Sequence, residues 1–438
     1  MEAIRPDSEH PRYWRYNGQT VLLVGGSKED NLFQVDSPEI HLELLASAGG
    51  NYVRNTMSSR DYGNVWPFER LPDGRYDLNR LSDAYFARFE RLLELAAERD
   101  VIVQIELWDR FDFAQEPWLD NPYRPANNVN YTPKQSGLEN EYARHPGKND
   151  NPFFRSIPVH DETTGILPYQ HRQVDRLLEI SLQYPNVLYT IDNETSATAE
   201  WGAYWAAYIQ RRAAERGVTA YVTEMWGARD IEAGAHRHTL DHPELYAFAD
   251  ISQNNHQTSD EHWDNLQWAR EYVASRPRPL NNVKIYGADG GRFGTTRDAV
   301  ERFWRNILGG AASVRFHRPP GGIGLDPTAQ SHIRSARVLE SLFDIFAAEP
   351  DAGHTLLLER ELAEAYLAFS PSRQYAVYFP DGGDVKLDLT DEPGRFSVRW
   401  LDATNSRVRG AAGVEGGDVV RLVPPEDGHW VAVLTKEA

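Results

Sequence analysis

The chain has 438 residues, with 65 Asp plus Glu against 46 Lys plus Arg, a net charge of −19 and no cysteine. That charge repels phosphate backbones and no basic run offsets it, which excludes nucleic acid as an expected partner. The missing thiols exclude disulfides and thiolate metal sites. No stretch approaches the roughly 20 apolar residues that span a bilayer, and the opening MEAIRPDSEHPRYW lacks the apolar middle of a secretory signal, so the sequence as written predicts a globular, cytoplasmic chain with no membrane contact.

In chain order, short β-rich apolar runs alternate with longer amphipathic segments, the pattern of parallel strands joined by crossover helices. Strands are predicted at 21–27, 52–58, 101–109, 187–194, 221–226, 251–257, 283–289 and 313–318. Helical stretches lie between them, such as LSDAYFARFERLLELAAER and EWGAYWAAYIQRRAAERG, whose apolar residues recur at three and four. Eight such units within residues 1–350 predict an α/β fold, a closed (β/α)₈ TIM barrel, with a doubly wound open sheet as the alternative. The segment 110–168 breaks the rhythm. Rich in Asn, Pro, Tyr and Trp, it reads as a long loop after the third strand, either a wall over a cleft or a packed flap, carrying Trp118, Tyr123, Tyr131 and Phe153. Residues 351–438 switch to short alternating strands (TLLLERE, EAYLAFS, QYAVYFP, DVKLDL, RFSVRWLD, DVVRLVP, HWVAVL), which predicts a small antiparallel β-sandwich.

A barrel builds its site at the carboxyl ends of its strands, so polar residues that follow the apolar runs carry information. The second run ends on Arg54 and Asn55, the third on Glu106, Trp108 and Asp109, and the fourth on Asp192, Asn193 and Glu194. Glu224 and Trp226 close the fifth, Asn254, Asn255 and His256 the sixth, Asp289 the seventh and His317 the eighth. The 12 Trp and 21 Tyr add amphipathic rings of the kind that line sites for sugars.

The fragment LELLASAGGNYVRN, the strand end TIDNE and His256 resemble the retaining glycoside hydrolases built on (β/α)₈ barrels. The entry RYWRYNGQTVLLVGGS and the tail YAVYFPDGGDVKLDL through DGHWVAVL resemble the apiosidase-like branch, with its C-terminal β-sandwich named as a collagen-binding domain; here that sandwich reads as a packing module. The resemblance implies cleavage of a polysaccharide or derived oligosaccharide by two carboxylates, with no cofactor. It gives Glu194 the role of proton donor, its pKa raised by burial and a companion carboxylate, and gives Asn193 and Arg54 sugar-binding roles. Substrate binding is likewise expected of Asn55, Trp108, Asp109, Trp226, Asn255, His256 and His317. Asp192, by strand alternation, should point away from Asn193.

The family's nucleophilic Glu at the seventh strand aligns with Ala288, which leaves Asp289 as the preferred second carboxylate and Glu224 as its competitor or as a sugar-binding acid. Two readings from other classes stay open: a polysaccharide lyase with a Tyr or His base, and a non-catalytic sugar-binding barrel. His236, His238 and His242 form an H-x-H with a nearby third histidine but lie in a polar loop, so no metal is expected. GADGGRFGTT lacks the lysine of a phosphate-binding loop.

Overall fold

The structure is a computed structural model that describes residues 2–142, 149–160, 164–370, 374–410 and 413–437. A curled parallel sheet of six strands forms its centre. We label the strand segments in chain order β1 (Leu23–Gly26), β2 (Tyr52–Thr56), β3 (Ile102–Asp109), β4 (Val187–Asn193), β5 (Val222–Thr223), β6 (Ala249–Asp250), β7 (Leu280–Asn281) and β8 (Ser313–Phe316). The sheet runs β5-β4-β3-β2-β1-β8, and β6 and β7 form a separate parallel pair. That pair is tied to the sheet on both sides. Ala312 N–H donates to the Leu280 carbonyl at 2.8 Å and Ile285 N–H to that of Arg315 at 2.9 Å, while across the other gap Asp250 N–H donates to Thr223 Oγ1 at 3.2 Å.

Helices follow the strands: α1 (Pro38–Ser47), α2 (Asp83–Ala97), α3 (Leu167–Ser181), α4 (Ala199–Glu215), α5 (Gly234–Asp241), α6 (Ser259–Tyr272), α7 (Thr296–Leu308) and α8 (Pro327–Leu342). The local chemistry explains their limits. Ser82 and Thr198 cap α2 and α4 by accepting the N–H of Tyr85 and Trp201, and Thr295 with Asp298 forms a reciprocal capping box on α7. On α4 the buried residues Trp201, Trp205, Tyr208 and Ile209 recur on one face and cover the sheet. Among the described residues no helix is long and apolar enough to cross a membrane.

Two strand predictions need correction. Residues 252–256, expected within a strand, form a 3₁₀ turn. Its small polar side chains bind the local backbone instead of leaving it for a ladder: Asp250 Oδ1 accepts Ser252 N–H and Asn255 Nδ2 donates to the Ser252 carbonyl. The seventh run begins earlier than expected, at Leu280, and ends near Tyr286, because Ala288 takes a left-handed conformation (φ 64°) that strand geometry cannot continue.

The described residues of the long segment after β3 (110–142, 149–160 and 164–168) pack as a flap, and residues 143–148 and 161–163 lie outside the described residues. Phe113 stacks on Phe153 with centroids 3.9 Å apart, and Tyr123, Trp108 and Trp201 surround the pair. Trp118, Tyr123, Tyr131 and Phe153 are all buried.

The C-terminal strands form a seven-stranded and a three-stranded antiparallel sheet. Alternation gives the larger sheet two apolar faces. Leu367, Val377, Phe379, Val398, Trp400, Ala432 and Leu434 share a core with Leu357, Val385, Leu387 and Leu422 of the smaller sheet. The intervening Tyr366, Ala368, Ala376, Tyr378, Leu401, Val431 and Val433 join the main core. Trp304 of α7 stacks on Tyr378 at 5.8 Å, and Ser335 of α8 donates to the Ala403 carbonyl at 2.7 Å. The β-rich part is therefore docked through a continuous apolar contact rather than tethered.

Candidate active site

All eight strand segments or the turns after them reach one cavity of about 530 Å³ at their carboxyl ends. Asp30 comes after β1, Arg60 after β2, Arg110 and Phe111 after β3, and Asn193 and Glu194 from the end of β4. Gly227 and Arg229 follow β5, Gln253 and His256 follow β6, Lys284, Tyr286, Arg292 and Phe293 follow β7, and His317 and Arg318 follow β8. A somewhat larger cavity, about 640 Å³, lies at the amino end of β4, but its charged pair, Glu2 and Arg5, bind each other. Converging polar groups single out the first cavity.

Glu194 lines it from the end of β4. The backbone leaves the strand there with φ 53°, a strained value for a residue with a side chain. The turn is held by Thr195 N–H to the Met225 carbonyl (2.7 Å) and Gly227 N–H to the Thr195 carbonyl (2.8 Å). Gly227 has a steric reason to be glycine, since a Cβ there would lie 2.6 Å from the Glu194 carbonyl oxygen. Lys284 Nζ donates to Glu194 Oε1 at 2.6 Å and to Asn193 Oδ1 at 2.5 Å; the Tyr286 hydroxyl donates to the same Glu194 oxygen at 3.0 Å, and Arg110 Nη2 lies 3.4 Å from the other.

These contacts reverse the expected electrostatics. Burial pushes the Glu194 carboxyl up, but the Lys284 charge and hydrogen bond, then Arg110 and Tyr286, outweigh it and hold the group well below the ordinary glutamate range. The sequence reading assumed a companion carboxylate on the seventh strand, whereas the companion is an ammonium. Burial, then the Glu194 charge, pushes the Tyr286 phenol well up, so it stays a protonated donor. The second carboxylate lining the cavity is Asp30, 2.7 Å from Arg54 Nη1 and 2.9 Å from Arg318 Nε. Burial pushes it up, yet Arg54 and its neighbours hold it well below its usual range.

Of the residues expected to act, the structure gathers Glu194, Asn193, His256 and His317 around the cavity. His256 bridges Gln253 and Arg292, and burial followed by the Arg292 charge pushes its imidazole down to about 4. Burial pushes His317 well down too. Arg54 and Asp109 lie one layer behind the lining: Arg54 joins Asp30 to Glu106, and Asp109 accepts Asn193 Nδ2 at 3.1 Å while pairing with Arg60.

The others lie elsewhere. Asn55 accepts Phe33 N–H, Trp108 packs against Trp205, Trp226 donates to Thr239, and Asn255 belongs to a buried network with Asn282, His262 and Asn306. Asp289 is exposed and caps its own loop by accepting the N–H of Gly291 and Phe293, each at 3.0 Å. Glu224 is fully buried behind the sheet, where its Oε1 accepts the N–H of Asp192 and Met225. A Cβ on Gly202 would lie 2.6 Å from its other oxygen. Asp192 turns to that same side, away from Asn193, and accepts Asn149 Nδ2 and Arg110 N–H. His236, His238 and His242 hold backbone carbonyls or one another, and among the described residues no group of three or more His, Cys, Asp or Glu is placed to hold a metal ion.

Sequence reasoning missed Lys284, Tyr286, Asp30, Arg110, Arg229, Arg292 and Arg318. One signal was present: in NVKIYG a lysine interrupts an apolar run, and strand alternation puts it on the same side as Tyr286.

No family model and no curated protein matches the sequence. Solved structures do match it in shape. A glycoside hydrolase family 5 protein from Bacteroides vulgatus superposes with a TM-score of 0.68 at 13% identity, over 99% of this chain and 93% of its own. A further glycoside hydrolase gives 0.67 at 12% identity, over 100% and 97%. A family 5 mannosidase from Rhizomucor miehei gives 0.51 at 12% identity, over 79% of this chain and 99% of its own. Along almost its whole length, β-rich C-terminal part included, the chain has the fold of these glycoside hydrolases.

Proposed function

We propose that this protein is a glycoside hydrolase that cleaves glycosidic bonds in a polysaccharide or an oligosaccharide derived from it. The observation that carries the reading is the seating of Glu194, on a strained turn, in a cavity supplied by all eight strand segments. The same convergence supports a closed (β/α)₈ barrel, and the apolar docking of the C-terminal sheets supports their role as a packing module. The fold shared with glycoside hydrolases agrees with both.

Glycosidic cleavage needs one carboxylic acid to protonate the leaving oxygen and one carboxylate opposite it. Glu194 and Asp30 are the two carboxylates that line the cavity, and in the free protein both are ionised. Glu194 reaches the acid form only when the hold of Lys284 and Arg110 is relaxed by something that binds there. Asp30, clamped by arginines, stays charged throughout.

One observation favours a second reading. The Tyr286 hydroxyl, 3.0 Å from Glu194 amid cations, is also the arrangement a polysaccharide lyase uses, with cations neutralising a uronate carboxylate while a tyrosine moves the proton. A screen of diverse polysaccharides separates the two. A hydrolase releases reducing ends without ultraviolet absorbance, whereas a lyase gives unsaturated, absorbing products. Products from neither assay, on any substrate that binds, would refute cleavage altogether.

A further inference from the structure

The chain carries a large excess of acids, yet this cavity is lined by six cationic side chains, Arg60, Arg110, Arg229, Lys284, Arg292 and Arg318, against two carboxylates. Both carboxylates are already saturated, Glu194 by Lys284, Tyr286 and Arg110, and Asp30 by Arg54, Arg315 and Arg318. Arg60 is taken up by Asp109 and Asp112.

Positive charge is left over. Arg229 has no hydrogen bond or ion pair among the described residues, and Arg292 bonds only to the neutral imidazole of His256. Arg110, 8% exposed, keeps a buried Nε without a hydrogen-bond partner among the described residues. Guanidinium groups concentrated at a concave site without carboxylate partners focus a positive potential there, which favours an anionic ligand. Two of these groups are also held in place, Arg110 over the Phe111 ring at 4.8 Å and Arg292 over Phe293 at 4.9 Å, with Phe293 itself stacked on Tyr286 at 4.2 Å. A planar fork fixed against a ring is prepared for a two-oxygen partner such as a carboxylate or sulfate. A neutral sugar would leave these donors unanswered.

We propose that the cavity takes a glycan whose bound sugar carries an anionic group, a carboxylate or a sulfate ester, met by Arg110, Arg229 and Arg292 beside Lys284. The proposal rests on the reading of this cavity as a sugar-cleaving site and deepens it. An oxyanion placed against Lys284 and Arg110 shares the two cations that hold Glu194 ionised, so the charge of the substrate itself would raise the proton affinity of Glu194 when it is needed.

The test is calorimetric titration of the full chain with length-matched neutral, uronate-containing and O-sulfated oligosaccharides, with sodium sulfate and sodium acetate as free-ion controls. At least one anionic class should bind about tenfold or more tighter than its neutral counterpart at low salt, with the gap closing as salt rises. The uronate and sulfate arms tell which group is read. Both Arg292→Gln and the double variant Arg229→Gln/Arg292→Gln, changed at exposed positions, should lose most of that preference, weakening the anionic arm at least tenfold more than the neutral one. Equal or tighter binding of neutral sugars, no binding of any anionic one, free ions binding as well as anionic glycans, or a preference untouched by the variants would each overturn the proposal. Anionic binding without cleavage would leave it standing and sink the cleavage reading; cleavage confined to neutral glycans would do the reverse.

Discussion

Lys284 Nζ lies 2.6 Å from Glu194 Oε1, so the group that meets Glu194 from the seventh strand run is an ammonium where a two-carboxylate site would place an acid. Lys284 is 2% exposed and Glu194 21% at their side chains, which makes the pair a largely desolvated one.

Removing this partner has a signed consequence. Because the folded-state pKa of Glu194 is depressed, its contribution to stability is present above the unfolded value of about 4.3 and is lost as pH falls towards the folded value. Lys284→Met should destabilise the protein by about 1–3 kcal/mol at pH 7, below the range for fully buried pairs because Glu194 keeps some solvent. It should also flatten the loss of stability on acidification. Urea unfolding at pH 7 and at lower pH checks both, and an unchanged pH profile would deny the coupling.

Glu224→Gln should retain both activity and fold. The amide can keep accepting the N–H of Asp192 and Met225 through its oxygen, and its nitrogen would face the Tyr246 hydroxyl, which lacks a hydrogen-bond partner among the described residues. Loss of turnover with an intact fold would return Glu224 to the list of catalytic groups.

Behind the sheet, burial pushes the Asp192 carboxyl up to about 7 despite the Asn149 hydrogen bond, and burial and then Asp192 push Glu224 well up. A raised carboxyl pKa acts opposite to the Lys284–Glu194 pair. The contribution of these two groups to stability is greatest below their unfolded values of about 4 and falls as pH rises through the window up to about 7. Glu224→Gln removes one of the two groups whose pKa is raised on folding, so the fall with rising pH should become shallower in that variant, as thermal unfolding across pH 4–8 would show.

Two other substitutions separate geometry from chemistry. Gly227→Ala places a methyl against the Glu194 carbonyl, so activity should fall and stability drop by about 1–3 kcal/mol. Asp289→Ala removes two loop-capping hydrogen bonds and loosens the Phe293 side of the cavity, so KM should rise more than kcat changes. Azide should not rescue Asp289→Ala. Recovery with formation of a glycosyl azide would make Asp289 the nucleophile after all.

The alternation of strands and helices was legible because burial imposes its own periods on the sequence: alternating residues on the C-terminal strands, and the 3.6 spacing of Trp201, Trp205 and Tyr208 on α4. Glu194 and Asn193 were legible for the same reason, as polar residues that end a buried strand. The partners of Glu194 were not. Strand alternation tells which face a residue takes only while the strand stays regular, and the seventh run departs from regular pairing between Asn281 and Tyr286, so Asp289 and Ala288 fall on an exposed turn. Trp108, Trp226 and Glu224 misled because a residue at a strand end has two sides available, and helices behind the sheet claim as many polar and aromatic groups as the cavity does.

The most direct measurement is turnover of Glu194→Gln on whichever glycan the screen identifies, together with calorimetric binding of the same glycan. The amide preserves the shape that Lys284, Tyr286 and Arg110 surround but can neither carry the charge nor exchange the proton. The account predicts a fall of several orders of magnitude in kcat with ligand binding largely kept. Turnover within a few-fold of the native protein would contradict it.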